Sequence, residues 1–110
     1  MIHDTLDKIE ATLRQATTLK EENRAELLEL LARLKAETDD LARTDAEQAH
    51  SIAGFAALSA HEATRAEPDA KLLELSLDGL SHSVSRFEET HPHLVQVVNS
   101  ICNVLANLGI

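Results

Sequence analysis

The sequence predicts an all-α protein, a small bundle of four to five coiled-coil-like antiparallel helices, and three observations carry that expectation. Ala, Glu, Lys, Leu and Arg make up about half of the chain, a proportion typical of long helices. Three glycines and two prolines in 110 residues leave few places to turn. Apolar residues recur alternately four and three positions apart, a spacing that keeps one stripe of a helix against its neighbours. Aromatic residues are 2% of the chain and Trp and Tyr are absent, so burial must come from Leu, Ala, Val and Ile within a single domain, residues 1–110.

The first expected helix, 2–17, carries Ile2, Leu6, Ile9, Leu13 and Ala16 on one face, with Asp4–Lys8 and Glu10–Arg14 pairs at i, i+4 outside. Thr18 and Glu21 fit a capping box for a second helix, 19–43. Its Leu27, Leu31, Leu34 and Leu41 form one face, broadened by Leu28 and Leu30, and it is the expected inner partner of the C-terminal seam. Between Glu37 and Glu47 the apolar pattern thins, which fits a turn capped at Thr44 or an exposed stretch of one long helix. The third helix, 45–66, is alanine-rich, with Ala49, Ile52, Ala53, Ala56, Ala60 and Ala63 in a stripe. Small side chains let helices approach closely but bury little apolar area per turn, so this segment is expected to be the least stable.

Glu67-Pro68-Asp69 breaks the chain, and two further helices follow, 69–89 and 91–108. Across both runs a seam of Leu73, Leu77, Leu80, Val84, Phe87, Leu94, Val98, Ile101, Leu105 and Leu108, with His91 out of type. Pro92 interrupts it. One outcome is a kinked helix in register; the other, favoured because a proline restrains the residue before it, is a break with Thr90 capping a new helix. Val95, Val97, Cys102 and Val104 widen the apolar arc of the last segment, while Asn99, Asn103 and Asn107 form a polar row that reads as its solvent stripe, the alternative being amides that hydrogen-bond across a helix–helix interface. Gly109 and Ile110 fit a Schellman closure onto Leu105. An unbroken seam spans about 53 Å at 1.5 Å per residue, longer than either of the first two helices, so either several short helices share the seam or, the favoured reading, a second copy of the chain covers the rest.

The formal charge of −9, from 19 acidic and 10 basic residues, argues against nucleic acid and anionic lipid as partners. One cysteine provides no disulfide framework, and Cys102 reads as a small buried hydrophobe. The amino-terminal stretch lacks the apolar run of a signal peptide, and the apolar tail is too short and too rich in amides to anchor in a membrane. The expected location is cytoplasmic.

The sharpest chemical candidate is metal. Glu47-x-x-His50 and Glu88-x-x-His91 match the spacing that puts both ligands of a ferritin-like di-metal bundle on one helical face. With six histidines and this many glutamates, chance alone supplies about half to one such pair. The bridging glutamates are not identifiable, so the pairs read as solvated or interfacial residues and no cofactor is expected. His82, His91 and His93 lack a zinc-site spacing and a cysteine, and His50 and His61, eleven apart on one face, read as surface residues. Ser81, Ser83 and Ser85 lie near His82, but no nucleophile elbow or glycine-rich oxyanion loop accompanies them.

The motif Phe87-Glu88-x-x-His91-Pro92-x-Leu94, followed by an apolar helix ending Leu105-x-Asn107-Leu108-Gly109-Ile110, resembles a family of short bacterial helical proteins, domain of unknown function 4404. Met1-Ile2-x-x-Thr5-Leu6 and Leu19-x-Glu21-Glu22-x-Arg24-x-x-Leu27-x-x-Leu30-Leu31 are similar to it as well, with Lys20 standing where a capping Asp or Ser is expected. Residues 44–66 have no counterpart in the resemblance and read as an extension. The resemblance implies a small helical protein and brings no activity, cofactor or catalytic residue. Taken together, the sequence points to a non-enzymatic module that forms homo-oligomers through the seam and offers remaining apolar surface to an unidentified protein partner, with a metal-binding bundle as the alternative.

Overall fold

The computed structural model describes residues 2–108. Its five α-helices are α1, Ile2–Gln15, α2, Glu21–Ala42, α3, Ala46–Thr64, α4, Ala70–Val84, and α5, Pro92–Leu108, with a 3-10 turn, Ser85–Phe87, closing α4. Among the described residues no strand forms. Gly109 and Ile110, to which the Schellman closure was assigned, lie outside them.

Helix α1 buries Ile2, Leu6, Ile9 and Leu13, as the four-three spacing requires, and stops two residues short of the expected end. Its last carbonyls find an unexpected donor. The Arg24 guanidinium reaches back from α2 and donates to the carbonyl oxygens of Leu13, of Arg14 at 3.2 Å, of Ala16 at 2.9 Å and of Leu19 at 3.3 Å. One side chain thereby satisfies orphan acceptors at the helix end and in the turn beyond it. Leu19 is buried, and the extended backbone of Lys20 that carries the chain past it delays α2 to Glu21. The Thr18–Glu21 capping box therefore does not form. Lys20 provides no side-chain cap, the Thr18 hydroxyl donates to the Thr64 carbonyl at 3.2 Å, and Glu21 accepts from Arg24 at 3.0 Å.

The thin stretch after Glu37 resolves into the end of α2 and a turn. Thr38 is fully buried because its hydroxyl donates to the Leu34 carbonyl at 2.8 Å and so leaves no polar group unsatisfied. The cap of α3 is Asp45 in place of the expected Thr44. The Asp45 carboxylate accepts from the Gln48 N–H at 3.0 Å, whereas the Thr44 hydroxyl is spent backwards on Leu41 at 3.2 Å. Helix α4 starts on Asp69, which accepts from the N–H groups of Lys71 and Leu72.

Helix α4 ends at Val84, well before the expected 89. The 3-10 turn tightens the chain, Phe87 turns inward, and the His91 N–H closes onto the Phe87 carbonyl at 2.8 Å. Pro92 then occupies the first position of α5, where a missing N–H breaks no bond. The break is realised, but Thr90 is not its cap: the Val95 N–H bonds to the His91 carbonyl at 3.3 Å, and the Thr90 hydroxyl lies 3.0 Å from His91 Nδ1.

The break folds the seam back on itself, with α4 packed on α5, so the molecule is 38 Å long and no 53 Å stripe exists to be covered. Of the seam, Leu73, Leu80, Val84, Phe87, Leu94, Val98, Ile101 and Leu105 are buried, and Leu77, His91 and Leu108 are partly buried, all within one chain. That removes the argument from length for a second copy and makes the seam core instead of docking surface. Helix α2 covers only the α5 half; the α4 half is covered by α3 and α5.

The alanine-rich helix lies at the centre. Helix α3 packs against all four other helices, with α1 and α4 on either side of it and α2 and α5, themselves in contact, beneath. Ala49, Ala53, Ala56, Ala60 and Ala63 are all buried. Side chains without bulk are what allow four neighbours around one helix. Opening α3 would therefore uncover the inner face of every other helix.

Candidate interaction surface

Helices α3 and α4 are clamped at one end by the Gln48 amide, which donates to the Ser83 carbonyl at 2.8 Å, and by Arg86, 2.6 Å from Asp45. Further along, the Phe55 ring lies over Gly79, where a Cβ would overlap it. These pairings run in opposite senses along the two helices, so α3 and α4 are antiparallel. The same register brings Leu58 level with Leu75. Large apolar residues left exposed among the described residues are Phe55, Leu58, Leu72 and Leu75, at 38%, 46%, 44% and 52%. Phe55 and Leu58 are at i, i+3 on α3, while Leu72, Leu75 and Gly79 are at i, i+3, i+7 on α4, so all lie along one junction. They leave open roughly 300–400 Å², the size of the largest apolar patch on an ordinary monomer and a size that often marks a binding surface.

Charge borders this surface. At the far end, Glu62 is 7% exposed and accepts from Arg65 at 2.7 Å, which holds the guanidinium still more firmly in its charged form. Lys71 pairs with Glu74 at 3.3 Å on the outer side of α4. Beneath the surface, Ser59 is fully buried and its hydroxyl has no hydrogen-bond partner among the described residues.

The residues expected to carry chemistry are dispersed. Glu47, His50 and His61 are exposed on α3; Glu88 is exposed in the turn after Phe87, and His82 and His93 are exposed on α4 and α5. His91 sits edge-on to Phe87, with ring centroids 5.7 Å apart, and its Nε2 is 3.7 Å from Asp40 of α2. Among the described residues no three His, Cys, Asp or Glu side chains come together as a group able to hold a metal ion. Ser83 is buried with its hydroxyl on the Leu80 carbonyl, Ser85 donates to His82, and the row of Asn99, Asn103 and Asn107 faces solvent. Burial, and to a lesser degree the charge of Asp78, pushes the Cys102 thiol up to about 11, as suits a half-covered side chain held unreactive. Among the described residues no helix is long and apolar enough to cross a membrane.

Concave features among the described residues include a small cavity in the core and an open groove. An apolar cavity of about 20 Å³ lies among Leu13, Leu31, Ala56, Ala60 and Leu105, where alanine leaves a neighbour short of contact. Between α2 and α5 runs an open groove of about 330 Å³ with Arg33, Glu37, His93, Gln96 and Ser100 on its walls.

A comparison with known families decides membership. The chain belongs to the family described as Domain of unknown function (DUF4404). The match covers residues 29–110. The matched range spans the whole alanine-rich helix. It leaves the opening motif around Ile2 and Leu6 outside. No curated protein and no solved structure matches this chain.

Phe55, Leu58, Leu72 and Leu75 lie off the stripes that the four-three spacing marks, so that spacing does not reveal them. The usable signal was present: large apolar residues at i, i+3 that fall off the Ala49–Ala63 stripe on one segment and off the Leu73–Val84 stripe on the next.

Proposed function

We propose that this DUF4404 protein is a non-enzymatic helical interaction module that associates, with copies of itself and with a protein partner, through the α3/α4 face. The observation that carries the reading is the alignment of Phe55, Leu58, Leu72 and Leu75 on one exposed junction in a chain whose other stripes are covered. A contiguous apolar patch of this size is often a binding surface. The location that fits is cytoplasmic, since one half-buried cysteine offers nothing to an oxidising compartment.

Sedimentation velocity over a hundredfold range of concentration tests it. The wild type is expected to rise above the 12.0 kDa of a single chain, and Leu58→Glu with Leu75→Glu to stay there with an unchanged helical spectrum. A wild type that remains a single chain throughout, indistinguishable from the double variant, overturns self-association through this face.

A further inference from the structure

We propose that two copies of this chain exchange α1, with Arg24 as the latch that holds the helix in its own chain. In the exchanged dimer the turn 16–20 straightens, α1 and α2 run on as one helix over residues 2–42, and α1 of each copy packs on α2 and α3 of the other. The proposal goes beyond the reading of the α3/α4 face and uses none of its apolar residues.

Three observations select this helix and this hinge. First, α1 packs on α2 and α3, and its ion pairs go to α2, with Lys35 beside Asp7 and Glu10 and with His3 3.1 Å from Asp39. A second copy offers the same faces in the same register, so exchange reproduces these contacts and the hinge alone decides between the two forms. Second, the hinge Ala16-Thr17-Thr18-Leu19-Lys20 holds neither glycine nor proline, and no described residue has a positive φ, so nothing in it forbids a helix. The apolar spacing also runs through it in phase. Leu6, Leu13, Leu27, Leu34 and Leu41 lie multiples of seven apart with Lys20 out of type, and Ile2, Ile9, Ala16 and Leu30 keep the companion position with Asn23 out of type. A turn imposes no such phase on the helices it joins. One continuous helix, about 60 Å long, carries both stripes on one side, as an antiparallel pair of such helices with a two-fold axis at the hinge requires.

Third, the latch supplies what the straight helix would supply for itself. Arg24 donates to the carbonyl oxygens of Leu13, Arg14, Ala16 and Leu19. In a continuous helix the same oxygens accept from the N–H groups of Thr17, Thr18, Lys20 and Asn23. One guanidinium thus stands in for four backbone bonds, and the Thr18 hydroxyl adds a tie to the Thr64 carbonyl at 3.2 Å. Removing Arg24 strips the donor from these carbonyls in the closed turn and takes nothing from them in the straight helix. The closed chain loses and the exchanged dimer does not.

The test is run with Leu58→Glu and Leu75→Glu in place, so that the α3/α4 face contributes nothing, and with helical content checked by circular dichroism. In that background the parent is expected to sediment at the 12.0 kDa of a single chain, and Arg24→Ala to form a dimer of twice that mass at the same concentration. Adding Lys20→Pro is expected to return the Arg24→Ala protein to a single chain. Lys20 has a φ of −71° in the closed turn, which proline adopts, whereas a proline inside the straight helix loses the bond to Ala16 and clashes with its carbonyl. An Arg24→Ala protein that is less stable but remains a single chain at every concentration overturns the exchange, and so does a dimer that persists with Lys20→Pro. Neither outcome bears on the α3/α4 face, whose test compares the wild type with the Leu58→Glu, Leu75→Glu variant.

Discussion

Leu105 and Leu75 are both leucines on amphipathic helices in the same half of the molecule, yet one is 1% exposed and the other 52%. Around Leu105 the seam of α4 and α5 closes against α2 and α3; around Leu75 the outer junction of α3 and α4 stays open. The difference teaches that periodicity identifies which residues share a face but says nothing of whether that face is roofed. Two apolar stripes of similar strength have opposite fates because α3, with its small side chains, can be approached from four sides, and the fifth side is left over.

Placing a charge at each leucine breaks the comparison most directly. Leu105→Asp buries an unpaired carboxylate and is expected to cost several kcal/mol, enough to abolish cooperative thermal unfolding and most of the helical circular dichroism. A wild-type melting curve for this variant contradicts the assignment of the seam as core. Next in size is Arg24→Ala, which strips the donor from four carbonyls and is expected to destabilise by about 1–3 kcal/mol in urea unfolding. Recovery by Arg24→Lys should be partial, since an ammonium cannot span acceptors as a planar guanidinium does.

Ser59→Ala is expected to act in the opposite direction. Removing a buried hydroxyl with no partner should stabilise by about 1 kcal/mol, and a loss of stability instead points to a bond the hydroxyl makes. Acid and alkali give a smaller effect at the α1–α2 clip, where Lys35 Nζ lies 2.9 Å from Glu10 and 3.3 Å from Asp7. The bond from Lys35, followed by that from Arg14, holds the Glu10 carboxyl below its usual value, and Glu10 in turn raises Lys35. A depressed carboxyl stabilises above its unfolded value and loses that as pH falls through the folded one; a raised lysine stabilises below its unfolded value and loses that as pH rises through the folded one. Melting temperature should therefore gain slightly between about pH 5 and 10 relative to Lys35→Gln, and parallel curves for the two proteins exclude the clip as a contributor. The least change in stability, under about 0.5 kcal/mol, is expected for Leu75→Asp, whose effect appears only in sedimentation.

Much of the helical layout was legible. Pro68 and Pro92 interrupt runs that otherwise read as helix, and each forbids a backbone bond whatever surrounds it. The ends were less legible. Thr18 and Thr44 suit caps by type and spacing, but the Thr18 hydroxyl donates to the Thr64 carbonyl, which only the folded chain brings near, and the Thr44 hydroxyl donates back to the Leu41 carbonyl at the end of α2. The same holds for Arg24, which reads as one more cation on a charged helix until α1 ends beside it. The candidate surface was hidden for a related reason: Leu72 and Leu75 are conspicuous only after Leu73 and Leu80 are known to be covered.

By itself, then, the chain's composition and spacing determined that it is helical, where it breaks and which residues line each stripe, because these follow from local geometry and from the backbone limits of proline. Tertiary structure alone decided that the alanine helix is the hub, that the long seam doubles over into core, and that the α3/α4 junction remains in water. Those outcomes depend on which stripes meet, and that is settled by the combined volume of side chains far apart in sequence.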